Sequence, residues 1–289
     1  MIPHVDNDSI VYLNGDYLRL GDAQVSVLDR GFIFGDGIYD VVPAYNGKPF
    51  RMDGHLARLE RSLASIGIET GMQRQDWETL VQGMLQRSGL GDCMVYIQVT
   101  RGVAKRDHAF PEGVKPTVFC MVSPFVRPTQ ALRQQGLSAV GMEDVRWLRC
   151  EIKSISLLGN VLAKQYAVDA GVDDVLQFRD GNLTEGSAAN IWVVKDGVLL
   201  APPRNNLILE GIRYGLMEEL AQAAGIQFTA RPISRQEVEN ADELMLSSAT
   251  KELLPITSYD GHPVGSGQPG SVYAALRQGY DDAIEKLLG

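Results

Sequence analysis

At 289 residues the chain is long enough for one large domain or two ordinary ones, and 45% hydrophobic with 22% charged residues lets it bury a sizeable core. A net charge of −9 opposes nonspecific attraction to nucleic acid or anionic lipid, so neither polymer nor membrane is expected as a partner. The three cysteines, Cys93, Cys120 and Cys150, contain no CxxC pair and suggest neither a disulfide framework nor a metal site, so small core residues in a reducing compartment are expected. Residues 1–8 carry aspartates where a signal peptide needs basic residues, and no apolar stretch nears ~20 residues, which points to a cytoplasmic protein.

The chain opens with a hairpin, because Asn14-Gly15 separates two apolar runs, and a second hairpin turns at Asn46-Gly47. Between them, Arg30-Gly31-Phe32-Ile33-Phe34-Gly35-Asp36-Gly37-Ile38-Tyr39-Asp40 combines three glycines with aromatic anchors, at a spacing that is neither a Rossmann nor a P-loop fingerprint. Asp53 is placed to cap a helix whose Leu56, Leu59, Leu63 and Ile66 form one stripe ending at Gly67; His55 and Arg58 fall off that stripe, as a solvated face would. A helix over 77–88, strands over 94–100 and 117–122, and a polar loop containing Arg106-Asp107-His108 follow. The prolines at 124 and 128 mark a linker over 123–130, dividing a first domain, 1–122, from a second, 131–289. In the second domain a helix runs from about Leu157 to Tyr166. Strands are expected over 175–178, 190–194 and 243–246, with turns at Asp180-Gly181, Asp196-Gly197 and Asp260-Gly261. Helices are expected over 214–224 and 272–288.

Several residues invite a chemical reading beside a plain one. Lys153 lies between Ile152 and Ile155: it is an outward-facing edge-strand lysine, or a desolvated amine whose lowered pKa suits it to covalent chemistry with a carbonyl. Glu185, in Thr184-Glu185-Gly186-Ser187, is an ordinary turn carboxylate or the carboxylate of a cofactor site. The helix start behind Gly211, at Ile212 and Arg213, and the turn at Ser248-Ala249-Thr250 are two places where backbone amides can receive a phosphate. An amine, a carboxylate and two phosphate cups together make the parts list for pyridoxal phosphate.

Four colinear segments carry a resemblance: Arg30-Gly31-Phe32-x-Phe34-Gly35-Asp36-Gly37-x-Tyr39, Trp147-Leu148-Arg149-Cys150-Glu151-Ile152-Lys153-Ser154, Leu157-Leu158-Gly159-x-Val161-Leu162-Ala163-Lys164-Gln165, and Thr184-Glu185-Gly186-Ser187. They are similar to the D-amino acid aminotransferases of the class IV pyridoxal-phosphate family, from about Ile10 to the C-terminus. The resemblance implies a two-domain α/β (α+β) fold of type IV, with an antiparallel first domain, a strand-rich second domain carrying the cofactor lysine, and the cofactor at the domain interface. It implies Lys153 as the Schiff-base and proton-transfer lysine, Glu185 on the pyridine nitrogen, and phosphate contacts from Arg58, Ile212, Arg213, Ser248 and Ala249. Tyr39, Arg106 and His108 match the family's substrate-carboxylate trap, the last two supplied by the second subunit of a homodimer. The chain departs from the family pattern at Arg213 and Ala249, where relatives carry Thr, and at Asp40, where they carry Glu; these departures bear on cofactor affinity and substrate range. The implied reaction is transamination of a D-alanine-like amino acid with a 2-oxo acid such as 2-oxoglutarate, with no metal. Arg106-x-His108 favours it over a branched-chain L-amino acid aminotransferase, an (R)-selective amine transaminase and an aminodeoxychorismate lyase. A non-catalytic pyridoxal-phosphate-binding protein is the alternative from another class.

Overall fold

The structure, a computed structural model, describes residues 6–289, so residues 1–5 of the N-terminal stretch discussed above lie outside the described residues. The chain packs as two units. One takes the described residues through Val126 together with Ile152–Leu157; the other takes Arg127–Glu151 and Leu158–Leu287.

In the first unit β1 (Ile10–Leu13), β2 (Asp16–Arg19), β3 (Gly37–Tyr45), β4 (Lys48–Pro49), β5 (Cys93–Thr100) and β6 (Thr117–Pro124) form an antiparallel sheet in the order β2-β1-β6-β5-β3-β4. Both expected hairpins are present, with Asn14 and Asn46 in the left-handed region that asparagine tolerates. The short helix α1 (Arg30–Phe34) falls within the glycine-rich segment. Gly37, which opens β3, has no room for a side chain: a Cβ would stand 2.4 Å from the Val99 carbonyl oxygen. The helices α2 (Met52–Ser65) and α3 (Arg74–Ser88) bury Leu56, Leu59, Trp77, Leu80 and Met84 in a core with Val42, Val95, Ile97 and Val99. Each such side chain contributes about 1.5–3 kcal/mol of burial.

Two local expectations change here. Asp53 lies in the first turn of α2, and the N-cap is Arg51, held at φ 56° where the chain leaves β4. His55 and Arg58 are buried instead of solvated, because α2 lies against β3 and meets a carboxylate there.

The second unit holds β7 (Leu137–Glu143), β8 (Asp174–Arg179), β9 (Asn182–Leu183), β10 (Asn190–Lys195), β11 (Val198–Ala201), β12 (Phe228–Ala230), β13 (Glu243–Ser248), β14 (Glu252–Tyr259) and β15 (His262–Pro263). They make one mixed sheet in the order β12-β11-β10-β13-β14-β7-β8-β9, with β15 on β14. The helices are α4 (Gln130–Gln135), α5 (Leu158–Asp169), α6 (Ile212–Ala223), α7 (Arg235–Glu239) and α8 (Ser271–Leu288). The core gathers Leu176, Phe178, Ile191, Val193, Leu244 and Leu254, while Trp192 packs on Tyr214 of α6 with ring centroids 5.0 Å apart.

The division between units falls after Val126, with β6 running to Pro124 and α4 beginning at Gln130. Ile152–Leu157, which the sequence reading gives to the second domain, packs with the first unit. Its main chain adds to the flank of β3: Tyr39 N–H donates to the Lys153 carbonyl (2.9 Å), Ile155 N–H to the Gly37 carbonyl (3.1 Å), and Ile38 bridges Ser154. Among the described residues no helix is long and apolar enough to cross a membrane, and Cys93, Cys120 and Cys150 are free and buried.

Candidate active site

The alternation of β3 sorts its side chains to opposite faces, so the neighbours Tyr39 and Asp40 serve different surroundings. Tyr39 lies on the face away from the helical core, beside Tyr96 at 5.7 Å between ring centroids. The Lys153 ammonium sits 4.1 Å from the centroid of the Tyr39 ring, where the ring's negative face attracts it. Lys153 is half-buried, and its amide also donates to Ser62 Oγ at 3.3 Å. The lysine main chain is therefore fixed by β3 and α2 while its amine extends along an aromatic wall.

Asp40 faces α2. Its Oδ2 accepts Arg58 Nε and its Oδ1 accepts Arg58 Nη2, both at 2.8 Å, and His55 Nδ1 lies 2.7 Å from Oδ1. Burial alone would raise the Asp40 pKa, but the Arg58 guanidinium and His55 outweigh it and hold the carboxyl well below the usual range. A two-point grip fixes the plane of the guanidinium as well as its position. Asp40, noted above only as a departure, is thus the group that orients Arg58.

Arg106 and His108 are exposed, and the structure brings both to Phe34: the Arg106 guanidinium carbon is 5.5 Å from the ring centroid and the His108 ring 5.4 Å. Arg30 clamps their loop from inside. It donates from Nη1 to the Asp107 carbonyl (2.5 Å) and from Nη2 to the His108 carbonyl (3.4 Å), while Nε is held by Asp36 Oδ2 at 2.7 Å. Arg101 grips the same Asp36 carboxylate with Nε at 2.8 Å. Arg30, Asp36 and Arg101 escape a sequence reading because their shared task is tertiary.

In the second unit Glu185 is 5% exposed. Burial pushes its carboxyl pKa up, an effect that Arg146 partly offsets by donating from Nη1 to Oε2. Asn190 Nδ2 donates to Oε1 at 3.2 Å and to the Leu209 carbonyl at 2.9 Å. Arg146 is itself aimed by Asp144, which accepts from Nε (2.9 Å) and Nη2 (2.8 Å) and also receives Thr184 Oγ1 at 2.8 Å. Arg146 is absent from the sequence reading; Asp144-x-Arg146 is the only local sign of it, and a weak one.

The two candidate anion cups also lie in this unit. The N-cap of α6 is Gly211, which has no side chain to cap the helix, and the first turn at Ile212 and Arg213 follows directly. Gly211 is required by Asn190, whose Oδ1 would stand 2.1 Å from an added Cβ. The Arg213 side chain turns into the interior, where Nε donates to Tyr280 Oη at 3.1 Å. At the other cup, the β13–β14 turn, Ser248 Oγ accepts the Lys251 amide at 3.0 Å and lies 3.3 Å from Thr250 Oγ1, with Ala249 between them. A primary amine, a buried carboxylate and amide-lined anion cups are a donor set that fits pyridoxal phosphate. No group of three or more metal-ligating side chains is gathered among the described residues.

Residues 37–259 match the family of amino-transferase class IV proteins. The chain is 40% identical over 276 residues to a D-alanine aminotransferase of Staphylococcus epidermidis, covering 95% of this chain and 98% of that protein. It is 36% identical over 274 residues to a D-alanine aminotransferase of Bacillus licheniformis, covering 95% and 96%. Its fold is shared with the Escherichia coli branched-chain amino acid aminotransferase, at a TM-score of 0.89 and 24% identity over 94% of this chain and 93% of that one. A hypothetical aminotransferase from Mycobacterium tuberculosis, solved in its PLP-bound form, superposes at a TM-score of 0.81 with 23% identity, covering 95% and 98%. The family match spans most of both units and takes in Tyr39, Lys153, Glu185 and both anion cups: this chain belongs to the class IV aminotransferases.

Proposed function

We propose that the protein transfers the amino group of a D-amino acid of the D-alanine type to a 2-oxo acid such as 2-oxoglutarate, with pyridoxal 5′-phosphate as cofactor. The observation that carries this reading is the pair Arg106 and His108, held on one ring by Phe34 and clamped by Arg30. A guanidinium beside an imidazole suits an amino acid carboxylate. The full-length likeness to D-alanine aminotransferases supports the same substrate class. The branched-chain L-amino acid and (R)-amine alternatives leave the pair without a task.

When bound, the cofactor supplies an aldehyde carbon for the substrate amino group and a ring that withdraws electrons from the substrate Cα. Lys153 is the tethering amine and the group that moves the Cα proton, its swing set by a main chain fixed on β3 and Ser62. Glu185, whose ionised form Arg146 favours, pairs with the ring nitrogen. The amides at Ile212, Arg213, Ser248 and Ala249 receive the phosphate together with Arg58, which Asp40 orients. Tyr39, Arg106 and His108 hold the substrate carboxylate, the last two reaching the site of a second copy in a homodimer. The apolar surface of Leu158, Val161 and Leu162 on one face of α5, each more than half exposed, supports such a partner. Free buried cysteines and the acidic charge support a cytoplasmic setting.

The test mixes the holoenzyme separately with D-alanine and L-alanine and follows the visible absorbance of the bound cofactor, then adds 2-oxoglutarate. D-alanine alone should change the spectrum, and 2-oxoglutarate should restore it with formation of glutamate. A response to L-alanine and none to D-alanine would overturn the substrate class, and no response to either would make the protein a carrier of the cofactor.

The Glu185–Arg146 pair gives a pH prediction. The raised carboxyl pKa means that ionised Glu185 is lost as pH falls, and Arg146 is the charge that opposes this. Arg146→Met should therefore move the acid limb of the rate profile to higher pH, and turnover at pH 7 should fall by at least about tenfold, the worth of one charge-assisted hydrogen bond. An acid limb that stays in place would remove Arg146 from this role.

A further inference from the structure

An ion pair that none of these roles uses joins the two ends of the proposed cofactor site in the second unit. Asp174 opens β8 and is 1% exposed. Its Oδ1 accepts the amide of Ser187, two residues beyond Glu185, at 3.0 Å and that of Val175 at 2.9 Å. Its Oδ2 accepts Lys251 Nζ at 2.6 Å. Lys251 belongs to the turn that carries Ser248 and Ala249, and its amide donates to Ser248 Oγ at 3.0 Å, so the lysine is held at both ends. In the sheet order β13-β14-β7-β8, β7 stands between β14 and β8, so the contact joins segments that no strand ladder joins.

We propose that Asp174 and Lys251 form a strap that sets the spacing between the phosphate-binding turn at Ser248 and Ala249 and the ring-nitrogen carboxylate Glu185, making both of them positioning residues for cofactor retention. This rests on the assignment of those two segments to the cofactor under Proposed function. A rigid ligand held at two ends is retained only while the two holders keep its own length between them. The Ser187 amide bond reaches the segment of Glu185, the Ser248 hydroxyl bond reaches the phosphate turn, and the pair of charges closes the link between them. Other bonds steady the Glu185 segment locally: Gln177 Nε2 donates to the Gly186 carbonyl (2.7 Å) and Asn160 Nδ2 to the Ser187 carbonyl (2.7 Å). Neither of them involves the phosphate turn. Burial would raise the Asp174 pKa, yet Lys251 holds the carboxyl below its ordinary value.

The experiment measures how fast each purified holoenzyme loses cofactor, by the decay of its visible absorbance during dialysis. Lys251→Met and Asp174→Asn should each release cofactor about three- to tenfold faster than the parent, the range for a charge-assisted contact whose lysine is part-exposed. Asp174→Asn is the sharper variant: its amide oxygen can keep the bonds to Ser187 and Val175 and loses only Lys251. Lys251→Arg should release within about twofold of the parent, since a guanidinium can also reach the carboxylate. If Lys251 acted merely as a positive charge near a phosphate, removing the negative charge of Asp174 would slow release; that result, or unchanged release in Lys251→Met, overturns the strap. Should Asp174→Asn fail to fold, Lys251→Met is compared with the parent at about 0.5 M salt, where attraction beyond a few ångströms is screened. An acceleration that persists there supports the strap, and one that vanishes refutes it. Ser248→Glu, which puts a negative charge into the phosphate cup, separates the premises: retention as in the parent sinks the assignment of that turn, whereas its loss beside normal retention in Lys251→Met sinks the strap alone.

Discussion

Lys153→Ala is expected to abolish turnover while leaving the fold intact. The bonds that fix residue 153 run through its main chain, to Tyr39 N–H from its carbonyl and to Ser62 Oγ from its amide, and alanine keeps both. What alanine removes is the amine above the Tyr39 ring, and with it both the tether and the proton carrier. A positioned proton transfer alone is worth ~10²–10⁴-fold, and the lost tether adds to it. Steady-state rates with D-alanine and 2-oxoglutarate check the effect, and a variant within tenfold of the parent would remove Lys153 from the chemistry. The same inactive chain tests the homodimer. Mixed with an Arg106→Ala chain, it should regenerate one intact site per heterodimer if, as proposed, the lysine and the carboxylate-binding arginine of each site come from different chains. If subunits exchange and no activity returns, the trap is not shared between subunits.

Glu185→Gln is expected to lower kcat by about 10²–10³-fold, the usual cost of removing one fixed charge from a developing charge. The amide is isosteric and its single oxygen can still accept from one of the two donors, Arg146 or Asn190, so the cofactor should remain bound. Retention, read from the visible absorbance, separates this lesion from damage to a phosphate cup, which would empty the site. If kcat were unchanged, Glu185 would be a structural partner of Arg146 and nothing more.

The parts of this molecule that the sequence shows are those in which neighbours along the chain decide the outcome. Asn14-Gly15, Asp180-Gly181, Asp196-Gly197 and Asp260-Gly261 are turns because the first residue of each enters the left-handed region, and short-range chemistry alone selects for that. The apolar stripe of α2 is equally local. By contrast β7 and β14 give no strand pattern: β7 is interrupted by Gly141 and β14 contains Pro255, and β7 is a strand through parallel pairing with β8 and β14, β14 through antiparallel pairing with β13 as well as its parallel pairing with β7. The candidate site divides in the same way. Lys153, Glu185 and the anion cups stand within recognisable runs, whereas Arg146, Arg30, Asp36 and the Asp174–Lys251 pair matter through contacts spanning tens of residues. His55 and Arg58 show the limit most plainly. Nothing within α2 announces that its polar face meets Asp40 on β3.

The lysine segment's attachment to β3 bears on how this polypeptide can be cut and built. Translation must pass residue 157 before the first unit owns its lysine segment, although its sheet is complete at Pro124. A gene split at the Val126/Arg127 junction would yield a leading fragment whose β3 flank is bare and a trailing fragment carrying the lysine away from its natural support. Such halves would become functional only on reassembly, when residues 152–157 of one piece dock against Gly37–Tyr45 of the other. Duplicating residues 152–157 at the end of the leading fragment would instead block that docking, making a self-capping piece that resists complementation.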